Sequence, residues 1–121
     1  MVDARIQILN LLKNIEYTGL TVKPNFPKEI KTVPLVTFFE VTNSNTSIRV
    51  RDSISYQIDV FENNFERVID LMQLVDGVMT QLGLNRNYVS PDEDCIDASG
   101  YYRKTLRYSC NVDIRTGRII D

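Results

Sequence analysis

The sequence predicts an α+β fold: a mainly antiparallel β-sheet with two helices packed on one face, in the order α-β-β-β-α-β-β. Three observations predict it. Residues 3–15 and 63–82 repeat apolar side chains every three or four positions, which is the helical period. Residues 54–60 and 101–114 alternate apolar with polar side chains, which is the strand period. Short connections separate the remaining extended stretches, so 35–42 is expected to pair with 49–62, and 85–90 with 101–114.

In the first helix Ile6, Leu9, Leu12 and Ile15 recur at three-residue steps, and Ile8 and Leu11 widen the stripe. Asp3 is placed to cap its start, and Gly19 lies just past its end. Three of the four prolines then fall at Pro24, Pro27 and Pro34. A missing N–H and a fixed φ bar these from a central strand, so this stretch is read as extended coil or sheet edge. Residues 35–42 are β-branched and aromatic, hence a strand, and 43–47 are read as a polar turn or hairpin tip.

The next strand is clearer, because Ile54, Tyr56, Ile58 and Val60 alternate with Ser55, Gln57 and Asp59. Asn63 and Asn64 supply an N-cap for the second helix, whose apolar face runs through Phe65, Val68, Ile69, Met72, Val75, Met79 and Leu82. Gly83 is placed to end it as the left-handed residue after the last turn. Residues 85–90 form a short strand and 91–100 an acidic loop. The last strand sets Tyr102, Leu106, Tyr108, Cys110, Val112 and Ile114 on one face and Arg103, Thr105, Arg107, Ser109 and Asn111 on the other. Ser55, Gln57, Asp59, Thr105 and Arg107 then share a sheet face that is polar but not highly charged, which suits contact with another subunit.

The chain has 121 residues, 43% of them hydrophobic, and reads as a single domain, 1–121. Its formal charge of −2 leaves no cationic surplus to neutralise a phosphate backbone. No apolar run approaches the roughly 20 residues of a membrane span, no secretory leader is expected from residues 1–10, and Cys95 and Cys110 are expected to be free thiols.

Histidine, the readiest general acid or base at neutral pH, is absent. Asp92, Glu93, Asp94 and Asp97 cluster in one loop, yet without the alternating oxygen ligands, central glycine and terminal glutamate of a calcium loop, so they are read as solvated. Carboxylates around Cys95 disfavour its thiolate, and Cys110 reads as a buried strand residue. None of the five glycines lies within five residues of another, so no phosphate cradle exists. No enzyme activity, metal or cofactor is expected. Arginine pairs stand at Arg49 and Arg51, Arg103 and Arg107, and Arg115 and Arg118. The second pair, near Tyr101 and Tyr102, makes a small single-stranded nucleic-acid-binding module on the 101–114 strand the alternative reading.

Taken in order, these stretches resemble a known family. The chain sets an amphipathic helix over 6–15 before a proline-spotted connector from Pro24 to Pro34 and the strand Leu35-Val36-Thr37-Phe38-Phe39-Glu40. There follow Tyr56-Gln57-Ile58-Asp59-Val60, a helix with Val75-Asp76-Gly77-Val78-Met79, its ending Leu82-Gly83-Leu84-Asn85-Arg86, and an acidic loop. The chain closes with Tyr102-Arg103-Lys104-Thr105-Leu106-Arg107-Tyr108 and Asn111-Val112-Asp113. This order resembles the tail-completion or tail-terminator proteins of long-tailed bacteriophages and prophages, a group that includes head-to-tail joining proteins. The likeness covers almost the whole chain through order rather than any diagnostic motif, and it brings no catalytic residues with it.

The resemblance implies a virion structural protein, assembled in the host cytoplasm as a ring, hexameric by the same resemblance, between tail tube and neck. Its partners are then further copies of itself, a tail tube protein and a head-completion or neck protein. DNA would pass through without sequence-specific contact, and a weakly acidic subunit suits that passage. Ring closure joins one patch to a different patch on the neighbour. The interaction residues expected are Asn43, Asn45, Arg49 and Arg51 at the hairpin, Asp92, Glu93 and Asp94 in the acidic loop, and Arg115, Arg118, Ile119 and Ile120 in the tail. Ile119 and Ile120 either dock on a partner or cap the subunit's own core.

Overall fold

A computed structural model describes residues 5–24, 33–45, 51–90, 101–113, 115, 116 and 119. Seven elements follow the expected order: α1 (Arg5–Lys13), β1 (Thr21–Pro24), β2 (Leu35–Asn45), β3 (Arg51–Glu62), α2 (Phe65–Leu82), β4 (Asn85–Val89) and β5 (Tyr102–Asp113). The strands form one sheet in the order β1-β2-β3-β5-β4. The pairs β2–β3 and β4–β5 are antiparallel, as expected of strands that follow one another, the non-sequential pair β3–β5 is antiparallel too, and β1 runs parallel to β2. The proline-bearing stretch thus contributes an edge strand with Pro24 at its end, where a missing donor leaves no central hydrogen bond unmade.

Both helices cover one face of the sheet. Val36 and Phe38 of β2, Ile54, Tyr56, Ile58 and Val60 of β3, and Leu106, Tyr108, Cys110 and Val112 of β5 point into it. Val68, Leu71, Val75 and Met79 of α2 and Ile8 and Leu12 of α1 close over them. Burial of this apolar surface is the main favourable term of folding. In α1 the buried stripe is Ile8 and Leu12, while Ile6 is 74% exposed. A three-residue step turns 300° and drifts around a 3.6-residue helix, whereas a four-residue step stays nearly in line. The helix also ends at Lys13, two residues early, with single-turn bonds from Asn14 N to Leu11 O and Ile15 N to Leu12 O. Asp3 lies outside the described residues.

The second helix begins and ends as its sequence directs. Asn64 accepts a hydrogen bond from Arg67 N at 3.2 Å through its side-chain oxygen. Gly83 sits at φ 103° and donates to Thr80 O, while Leu84 N donates to Met79 O. This pair of bonds stops the helix and needs the left-handed residue that glycine supplies at least cost.

Two polar clusters tie the layers together. Tyr108 donates its hydroxyl to Asp76 on α2 at 2.8 Å, and Arg86 on β4 holds the other Asp76 oxygen at 2.8 Å. Burial, then the bond to Asp76, lifts the Tyr108 hydroxyl far above the ordinary tyrosine range. On the α1 side Tyr17 donates to Glu62 at 2.7 Å, with Arg67 3.6 Å from the same carboxylate and over the Tyr17 ring.

β2 continues three residues past its expected end. Asn43 and Asn45, read as a hairpin tip, are strand positions opposite Ile54 and Asp52. Asparagine disfavours strands, but the register carried past a bulge between Glu40 and Thr42 supplies ladder hydrogen bonds that outweigh a weak local preference.

Candidate functional site

The face of the sheet that carries no helix is assembled from alternate positions of three strands. Gln57, Asp59 and Phe61 of β3 lie opposite Arg107, Thr105 and Arg103 of β5, and Tyr88 of β4 lies on the far side of Arg107. Side chains that alternate along a strand share a face, so these seven meet. Six residues, Gln57, Tyr88, Ser90, Arg103, Thr105 and Arg107, line a hollow of about 380 Å³.

Asp59 is the floor of this arrangement. It is 0% exposed, and one of its oxygens accepts from Arg103 Nε at 3.0 Å, from Arg103 Nη2 at 2.9 Å and from Thr105 Oγ1 at 2.6 Å. Its second oxygen accepts from Gln57 Nε2 at 3.2 Å. A buried carboxylate is tolerable only when paired and bonded in this way. The Arg103 guanidinium also lies over the Phe61 ring, 5.9 Å from its centre.

From Gln57 the network continues outward. Its amide oxygen accepts from Arg107 Nε at 3.1 Å, and the Arg107 guanidinium lies 5.7 Å from the centre of the Tyr88 ring. Ser90 closes one side, its N–H donating to Thr105 O at 2.9 Å and its hydroxyl oxygen accepting from Thr105 N at 3.0 Å. Lys104 points to the other side of β5 and donates to Ser90 O at 3.1 Å. The face expected to be polar but not highly charged is polar in composition but only partly exposed. Ser55, Thr105 and Arg107 keep some exposure, but Gln57 and Asp59 are buried with Thr37 and Phe61, because Asp59 has its counterion and donors within the sheet.

The expected interaction residues fall elsewhere. Asn43, Asn45 and Arg51 occupy neighbouring strand positions at one end of the sheet, with Arg51 opposite Asp113. Arg115 lies at that end too, its backbone N–H on Asp113 Oδ1 at 2.8 Å and its Nη2 on Oδ2 at 3.0 Å. The Arg115 hydrogen bonds hold the Asp113 carboxyl below its ordinary value. Ile119 bridges to Val112 and packs against the subunit's own core beside Gly83, so the core-capping reading applies to it. Arg49, Asp92, Glu93, Asp94, Arg118 and Ile120 lie outside the described residues.

Sequence reading singled out Arg103 and Arg107 but missed Gln57, Asp59, Tyr88 and Ser90 as their partners. The alternation signalled a shared face. Which acid meets which base depends on pairing strands 44 residues apart, and nothing local encodes that.

Cys110 is a free, buried thiol, and burial pushes its pKa up to about 11. Thiolate is the reactive form, so at pH 8 about one part in a thousand is available. We expect iodoacetamide to spare Cys110 in the folded protein and label it in urea, as mapped by peptide mass spectrometry. Labelling of native Cys110 within minutes contradicts this.

Among the described residues, no three His, Cys, Asp or Glu side chains gather as metal donors would, and no helix is long and apolar enough to cross a membrane. No protein-family model matches the chain, and no curated protein sequence matches it.

Proposed function

We propose that this chain is a structural assembly subunit of the tail-completion or tail-terminator kind, forming a ring at the head-proximal end of a phage tail and joining tail tube to neck. One observation carries the reading. The sheet ends in two unlike edges, β1 and β4, and all five residues of β4 are exposed. A ring that closes by rotation needs two different patches on each subunit, and unlike sheet edges supply them. An exposed edge left unpaired is also an aggregation hazard, which a neighbour in an assembly removes. The order of elements, which resembles that family, points the same way, and the charge of −2 offers little grip on DNA sliding through a ring.

Light scattering after size-exclusion chromatography, with electron microscopy of the purified protein and of tails from the particle that encodes it, tests the reading. The expected result is a ring whose mass is a multiple of 14.0 kDa, or a monomer that enters a ring only on tails. Absence of the protein from the tail–neck junction overturns it.

A further inference from the structure

One of the two arginines that line the hollow is neutralised where it stands. Arg103 is held by Asp59, and the buried ammonium of Lys104 donates to a backbone carbonyl on the other side of β5. Arg107 is different. Its Nε is pinned to Gln57 and its guanidinium is stacked on Tyr88, yet Nη1 and Nη2 have no partner among the described residues. The side chain is exposed and lines the hollow. Gln57 that holds it is itself 7% exposed and held by buried Asp59, so the fork is fixed before any ligand arrives.

We propose that this hollow is a carboxylate-binding pocket, with the ligand seated end-on against Nη1 and Nη2 of Arg107. A planar guanidinium fork matches a planar carboxylate with two parallel hydrogen bonds. Tyr88, whose hydroxyl is also without a partner among the described residues, lines the same hollow and is 45% exposed. The volume lies at the small end of ligand pockets, suited to a short acid or one acidic side chain. Phosphate fits less well. Phosphate sites gather several free backbone N–H groups or cations, and here the N–H groups of Ser90 and Thr105 are both spent on each other's residue. A run of nucleotides fits less well again, because the cations without a counterion on the described part of this face stand three strands apart, Arg107 on β5 and Lys23 on the edge strand β1, and strand binding neutralises many neighbouring phosphates. The inference does not rest on the ring reading.

The test is an NMR titration of ¹⁵N-labelled protein, following the arginine Nε–H signals. The probes are N-acetyl-Val-Glu-Val-amide, its Gln counterpart, succinate, and an oligothymidylate. We expect the Glu peptide, succinate or both to bind at least about tenfold more tightly than the Gln peptide. Binding of the peptide alone identifies a protein side chain as the source, and binding of succinate alone a free acid. Arg107→Gln is expected to abolish the preference and Arg107→Lys to restore only part of it, since lysine keeps the charge and loses the fork. Arg107 is exposed but its Nε satisfies the amide oxygen of buried Gln57, so each variant is titrated below its own melting transition and the preference is read on folded protein. One ion pair predicts at most about a fourfold loss between roughly 50 and 200 mM salt. The proposal is overturned if the Glu and Gln peptides behave alike and succinate is silent, or if Arg107→Gln leaves the preference intact. Oligothymidylate binding that falls several hundredfold over the same salt range, with both carboxylates silent, overturns it in favour of single-strand recognition.

Discussion

Replacing Arg103 by alanine should cost about 3–5 kcal/mol of stability, read as a lowered midpoint in urea unfolding. The cost comes from what is left behind. Asp59 is fully buried, and without Arg103 its carboxylate keeps Thr105 and Gln57 as donors but loses its counterion among the described residues. The reverse change is expected to be milder. In Asp59→Asn the amide oxygen still accepts, and the Arg103 side chain, 28% exposed, can reach water, so about 1–2 kcal/mol is expected. Because each partner's loss is partly the stranding of the other, the double variant should lose clearly less than the sum of the singles. An Arg103→Ala cost within about 0.5 kcal/mol, the range of ordinary surface changes, would show that the pair contributes nothing in solution.

That prediction rests on a feature the sequence conceals, and the reason is physical. Asp59 alternates with Ile58 and Val60, so its face was legible, but alternation says nothing about depth. Its burial depends on Arg103 and Thr105 arriving from a strand more than forty residues away. Where the determining contacts are local, the sequence was readable: Asn64 and Gly83 bound α2 as capping chemistry requires, and β3 and β5 bury their apolar alternate positions. Where long-range pairing decides, it was not. β2 carries Asn43 and Asn45 into the ladder because β3 supplies their partners, and β1 lies parallel to β2, which Pro24 alone does not foretell. Ile119 follows the same pattern, packed on the core beside Gly83, whereas Arg115 is held by Asp113 only two residues before it.

The second large effect tests whether the two faces of the sheet act independently. Leu71→Ala is expected to cost about 2–5 kcal/mol, the sum of lost apolar transfer and a cavity that the surroundings cannot fill. Leu71 is fully buried on the face of α2 that also carries Val68, Val75 and Met79, and it belongs to the core that contains Tyr56 and Tyr108. Tyr108 is tethered to Asp76 on the same helix, which limits how far α2 and β5 can close together over the gap. Poor collapse places the expected loss in the upper half of the range. None of this reaches the hollow, whose lining residues stand on the opposite side of the sheet from α2. Leu71→Ala should therefore lower the urea midpoint while leaving the Glu-over-Gln peptide preference of the folded fraction unchanged, as distant sites behave additively. Arg103→Ala should move both readouts, since Arg103 lines the hollow and holds Asp59, which in turn holds Gln57. If Leu71→Ala erased the preference at a urea concentration where the protein is still folded, the sheet would be transmitting strain between its faces, and the rigid support assigned to Gln57 and Arg107 would be wrong.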